Sequence, residues 1–212
     1  MFRTIAVLTL LSLIPLLPAY AEDAAEGEMP QREMTLDLRP FPEVEELIEE
    51  AQKLRADDKL REAAERYQAA AAAGMKVEPS IPPFDINYMT LIDFIRMSHA
   101  SAATCFFKLN ENEKALEETQ AGIVYGRRFA DGVPSDPDGL VNLASLHSLA
   151  AVLQSRLGKN GEALENCDVA LAYCEQIRHL DPESEDAKML QTAMEGLKKG
   201  LEEREKSGSA AK

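Results

Sequence analysis

The sequence predicts an all-α protein built as an array of antiparallel helix hairpins, and three observations predict it. The string Ala163-Leu164-Glu165 repeats Ala115-Leu116-Glu117 at an offset of 48 residues, and the register runs without gaps from His99/His147 through Leu109/Leu157 and Asn112/Asn160 to Pro134/Pro182. A weaker third copy lies upstream around Ala63 and Glu65. Within each copy, apolar residues recur at i, i+3, i+4 and i+7, the stripe of an amphipathic helix. No alternation of period two interrupts them. A fixed internal period is the mark of a repeat architecture.

Seven helices follow in order. The first opens at Pro42 or Glu43, where proline suits the first turn and acids suit the positive helix end; Val44, Leu47, Ile48, Ala51 and Leu54 form its apolar stripe. Asp57-Asp58 turns the chain into a second helix from Lys59 to Ala73, with Gly74 as its expected stop. A proline-marked connection, Met75 to Pro83, leads to Phe84-Asp85, read as staple and N-cap of a long third helix ending near Leu109. Asn110-Glu111-Asn112 turns the chain, with Asn112 expected to cap helix four, Glu113 to Ala130. After a loop from Gly132 to Pro137, helix five spans Asp138 to Leu157 and stops at Gly158. Asn160 is expected to cap helix six, which runs to Leu180. Asp181-Pro182 restarts the chain, with Pro182 in the first turn of helix seven, ending near Lys206. That gives a helical domain over 43–206 and a mobile, polar tail over 207–212.

Upstream, Met1-Phe2-Arg3 supplies one positive charge, Ile5 to Leu17 is almost wholly apolar, and Ala19-Tyr20-Ala21 precedes the acids Glu22 and Asp23. This is the layout of an export signal over 1–21 with cleavage near Ala21. Its apolar run falls short of the roughly 20 residues of a membrane span. Residues 22–42, acidic and broken by Pro30, Pro40 and Pro42, read as a linker in which Met34, Leu36, Leu38 and Phe41 alternate like a docking arm. The expected location is periplasmic or secreted, with no stable membrane insertion after cleavage.

A net charge of −14 opposes a phosphate backbone or an anionic membrane, since both are met by Lys and Arg. Nucleic acid is therefore not an expected partner. Of the three cysteines, Cys167 and Cys174 lie seven apart on one predicted helix. Seven residues rise about 10.5 Å, beyond the roughly 7 Å reach of a disulfide. Two readings stay open: three buried unpaired thiols, or a bridge from Cys105 to Cys167 or Cys174.

Helix pairs with small residues at their crossings resemble the tetratricopeptide repeat (TPR). The matching positions are Ala51, Ala63 and Ala70; Ala103, Ala115 and Gly122; and Ala151, Ala163 and Ala170. Small side chains let helix axes approach to about 8 Å. The chain departs from that family in length: the landmarks recur at 52 and 48 residues, not 34, and Pro134 and Pro182 fall about two helical turns late. His99 and His147 stand where the family carries a large aromatic. The resemblance implies a right-handed array of three lengthened repeats closed by a C-terminal capping helix. It also implies a concave groove, lined by the first helix of each pair, that takes a peptide or another protein. Groove candidates in this register are Gln52 and Arg55, then Thr104, Phe107 and Lys108, then Ser148, Val152 and Arg156. One basic residue per copy near a helix end could receive an acidic segment or a C-terminal carboxylate, or simply complement the helix dipole. The Lys/Asn pattern of the chaperone-tail-binding members is absent, so that ligand is not carried over.

No other chemistry stands out. His99 and His147 occupy one repeat position, but spacing supplies no third metal ligand, and buried packing residues are the better reading. The adjacent pairs Glu45-Glu46, Glu49-Glu50, Glu117-Glu118 and Glu202-Glu203 do not share helix faces and read as solvated surface. No G-x-S-x-G nucleophile or phosphate-cradling glycine loop occurs. The expectation is a non-enzymatic protein without a cofactor, an exported adaptor or scaffold of the cell envelope. A self-assembling structural component is the alternative, and a metal-dependent enzyme using the two histidines ranks third.

Overall fold

The computed structural model describes residues 40–83, 85 and 87–210. The expected export signal over 1–21 and most of the expected linker over 22–42 lie outside these. Among the described residues, seven α-helices make the fold: α1 Pro42–Ala56, α2 Leu60–Val77, α3 Tyr88–Lys108, α4 Asn112–Gly132, α5 Pro137–Arg156, α6 Asn160–Leu180 and α7 Glu185–Ala210. Among the described residues there is no strand. Every helix packs on its chain neighbours, and in addition α1 touches α3 and α5 touches α7. The odd-numbered helices therefore form one layer and the even-numbered helices close against it. This is the expected all-α array of helix hairpins.

Helix lengths keep the repeat. Helices α4 and α6 start at Asn112 and Asn160, end at Gly132 and Leu180, and have 21 residues each. The three turns inside hairpins share one construction. Asp58, Asn110 and Gly158 all take positive φ, at 60°, 59° and 76°. In each, the next amide reaches back across the helix end: Lys59 N to Leu54 O, Glu111 N to Phe106 O, and Lys159 N to Gln154 O, all at 2.9 Å. This left-handed closure satisfies carbonyls that a helix end leaves bare. It also corrects the capping expected from sequence. Asn112 and Asn160 are the first helical residues, and the cap positions belong to Glu111 and Lys159 without a side-chain capping bond. The positive-φ residue has already turned the chain, so the helix starts one residue early.

Other boundaries shift for local reasons. Helix α2 does not stop at Gly74 but runs on to Val77 and into a 3-10 turn, Glu78–Ser80. Gly74 instead serves the crossing with α3: a Cβ there would lie 2.6 Å from Ile95 Cγ1. Helix α3 begins at Tyr88, not at Phe84-Asp85. Asp85 still organises the entry, its Oδ1 accepting from Asn87 N at 2.8 Å and its carbonyl from Tyr88 N at 3.0 Å. Asp136 caps α5, accepting from Asp138 N at 3.3 Å and Gly139 N at 3.2 Å, and Pro137 fills the first turn. Pro182 lies in the turn before α7; Ser184 Oγ accepts from Ala187 N at 3.3 Å and α7 starts at Glu185. Helix α7 also extends past Lys206 to Ala210.

All nine small positions of the three copies are buried. Around them, Leu91, Ile92, Ile95, Leu143, Leu153 and Ile177 are each at 0–1% exposure. Full burial of such a side chain is worth about 1.5–3 kcal/mol, so these residues and the close helix approach, not surface ion pairs, hold the array. Phe41 caps α1 and packs edge-on against Phe94, ring centroids 6.4 Å apart; Met34, Leu36 and Leu38 of the expected arm lie outside the described residues. Cys105, Cys167 and Cys174 are buried and unpaired. Burial pushes all three thiols up, Cys167 to about 11.

Candidate functional site

The predicted groove residues divide by exposure. Gln52 and Arg55 on α1, Lys108 on α3 and Arg156 on α5 are exposed. Phe107 is half-buried, and the Arg156 guanidinium lies 4.1 Å from its ring centroid. Arg156 also reaches Asn112 Oδ1 at 3.5 Å, so it spans from α5 to the start of α4. Arg55 lies 5.9 Å from the Tyr67 ring centroid, and both Arg55 and Lys108 act electrostatically on the Cys105 thiol. The helix ends of the odd layer thus present a ledge of cations backed by an aromatic ring.

Three candidates do not serve that ledge as expected. Ser148 is 7% exposed, and its hydroxyl has no hydrogen-bond partner. Helix α5 has neighbours α4, α6 and α7, and Ser148 falls within that packing. Val152 packs against the cluster of Ala151, Ala163, Cys167 and Ala170. Thr104 is half-buried and spends its hydroxyl on Ala100 O at 2.9 Å.

The main feature missed in the sequence is a polar network between the hairpins. His99 Nδ1 meets Glu118 Oε2 at 2.7 Å, and Gln68 Nε2 donates to Glu118 Oε1 at 2.5 Å. His99 and Glu118 are each 8% exposed, so Glu118 is not the solvated surface acid its pairing with Glu117 suggested. Burial tends to raise its carboxyl, but the bonds from His99 and Gln68 outweigh this and hold it below the usual range. The His99 ring stacks on Tyr125, centroids 6.1 Å apart. Tyr125 in turn donates to Glu78 Oε2 at 3.2 Å, and Arg128 bridges Glu78 and Tyr88. One chain of contacts therefore ties α2, the 3-10 turn, α3 and α4 together.

The third hairpin repeats the motif with different chemistry. His147 Nδ1 meets Asn166 Oδ1 at 2.7 Å and its ring stacks on Tyr173 at 5.8 Å. The signal was present in the repeat: a polar residue stands 19 positions after each histidine, Glu118 and Asn166. Both histidines are buried packing residues, as expected. The carboxylate–imidazole pair of His99 and Glu118 joins α3 to α4. Among the described residues, no three His, Cys, Asp or Glu side chains gather into a metal-holding group.

Two open grooves lie elsewhere. One of about 370 Å³ between α5 and α7 is lined by Val141, Ser145, Asp186, Met189, Leu190 and Ala193, with Met189 64% exposed. Another, of about 610 Å³ and largely charged, runs between α1 and α2 past Glu50, Glu62, Glu65 and Arg66. Neither contains a predicted site residue. Among the described residues, no helix is long and apolar enough to cross a membrane. No protein-family model matches the chain, and no curated protein matches it.

Proposed function

We propose that this chain is an exported, TPR-like adaptor or scaffold of the cell envelope that holds an acidic peptide or protein segment along its odd-helix layer. The observation that carries the reading is the ledge of Arg55, Lys108 and Arg156 with Phe107, exposed cations in a chain of net charge −14. Such a ledge suits a carboxylate-bearing segment, because guanidinium groups pair with carboxylates in a bidentate fork. The burial of all nine small crossing residues supports the TPR-like part of the reading. Export rests on the residue pattern over 1–21.

Fluorescence anisotropy with acidic and basic peptide libraries tests the ledge. Acidic peptides should bind, and the double variant K108E/R156E should weaken them at least tenfold with unchanged helicity. Binding that ignores this charge reversal overturns the ledge. A second reading, self-association through the α5–α7 groove, draws on Met189 at 64% exposure. Sedimentation that finds only monomer at high concentration removes it.

A further inference from the structure

The two equivalent histidines differ in what surrounds them. His99 faces a carboxylate, Glu118. His147, 3% exposed, faces the neutral amide of Asn166 through Nδ1 and the Arg127 guanidinium through Nε2, at 3.5 Å. A guanidinium can only donate, so His147 Nε2 carries a lone pair and Nδ1–H donates to Asn166. The Arg127 side of the ring favours the neutral form, while the Nδ1–H bond to Asn166 is open to both forms.

None of the groups in direct contact with the ring is a carboxylate. From α4 the charged neighbour is Arg127; Asp131 lines a cavity of about 260 Å³ with Arg127 and Tyr173 but makes no bond to the ring. From α6 come Asn166 and the Tyr173 ring. On α5 itself, neutral Gln154 links Asn166 to Glu162, at 2.9 and 3.1 Å. Helix α7 brings apolar Met194 and Leu201 to the adjacent core, and its Lys198 is bonded to Asp168 at 2.6 Å. Protonating Nε2 removes the acceptor that the exposed Arg127 uses and places a charge on a buried ring 3.5 Å from that guanidinium. Stacking on Tyr173 does not replace a counter-ion.

We propose that His147 is an acid-operated joint: its protonation unlatches Arg127 and loosens α5 and α6 from α4, while the hairpin of His99 and Glu118 stays shut. Burial first, then Arg127, lowers the His147 pKa below 6.5, against the bond from Asn166. For a histidine depressed in this way the unfolded chain takes up the proton first. The stabilisation is complete above pH 6.5 and declines as pH falls toward the folded value. Because α5 carries Arg156, loosening it also disturbs the cationic ledge. That consequence rests on the proposed ledge; the titration of His147 does not.

The chain has three histidines, so imidazole NMR of the purified protein resolves each titration. His147 should titrate below 6.5. Amide protection in α5 and α6 should fall by up to about tenfold per pH unit below 6.5, with α3 and α4 unchanged. Asn166→Glu installs the carboxylate found at the equivalent position and should raise the His147 titration and abolish the loss of protection. Arg127→Gln is the second variant and should also move the titration up. The inference is overturned if wild-type His147 titrates at 6.5 or higher. It is equally overturned if α3–α4 opens in parallel, or if neither variant moves the titration. Should both variants fail to fold, the wild-type titration and protection pattern decide alone. Acidic-peptide binding measured alongside separates the two ideas: loss of protection without any peptide affinity leaves the joint standing and the ledge refuted.

Discussion

Gly74 lies so close to Ile95 that a Cβ on the glycine would sit 2.6 Å from Ile95 Cγ1. Ile95 is fully buried and β-branched, so it has little room to yield. Gly74→Ala sets two effects against each other. Alanine is the better helix former by about 1 kcal/mol, whereas overpacking a core costs about 1–3 kcal/mol. The clash wins, and Gly74→Ala should lower stability in urea unfolding. Gly196 and Gly200 on α7 have nothing within 4 Å, so Ala there should raise stability by up to about 1 kcal/mol. Equal effects at all three sites would refute the close crossing.

Glu118 gives a pH prediction of known sign. Its carboxyl is depressed in the folded protein, so its contribution is present above the unfolded value near 4.5 and lost as pH falls through the folded one. Glu118→Gln should cost about 1–3 kcal/mol near neutral pH, where the charge-assisted bonds are lost. It should also flatten the fall in stability below pH 4.5. Urea midpoints measured across that range check both parts; parallel curves for variant and wild type would show that the pair does not titrate with folding.

The hairpin turns make a third prediction. Gly158 at φ 76° gains nothing from a side chain, and Ala there costs about 1–2 kcal/mol of left-handed strain. At Asn110, φ 59°, the opposite change applies, and Asn110→Gly should raise the melting temperature slightly. Opposite signs at equivalent turns are the diagnostic result.

Thiol chemistry makes a fourth. Cys167 is fully buried and pushed to about 11, and only the thiolate attacks an alkylating reagent. Native protein near pH 8 should leave all three cysteines unlabelled by iodoacetamide, and denatured protein should label all three without prior reduction. A thiol that labels rapidly in the native state would contradict the packing around it.

Much of the fold was legible because the repeat carries it. The offset from Asn112 to Asn160 recurs in helix starts, helix ends and turns, and the apolar stripes needed only a 3.6-residue period. Single polar and small residues were harder. Gly74 looks like a helix stop in sequence, because a glycine that ends a helix and one that admits a neighbour are the same letter. Asn112 and Asn160 resemble caps, yet the preceding left-handed residue decides where the helix begins. Ser148 lies on a helix that has three neighbours, α4, α6 and α7, which a two-helix repeat pattern does not convey. Glu118 was lost inside the Glu117-Glu118 pair, although adjacent residues point to different faces and only one of them meets His99.

The shared turn at Asp58, Asn110 and Gly158 makes the chain extensible. Residues 112–159 contain one even helix, one odd helix and both of their connections, and they begin and end at the same point of the turn. A second copy spliced in after residue 159 would meet α5 as α6 does, and would offer α6 the turn it already follows. The backbone turn would thus be reused unchanged on adding a cassette, and only the side-chain pairing at the new joint, Glu118 in place of Asn166 opposite His147, would differ.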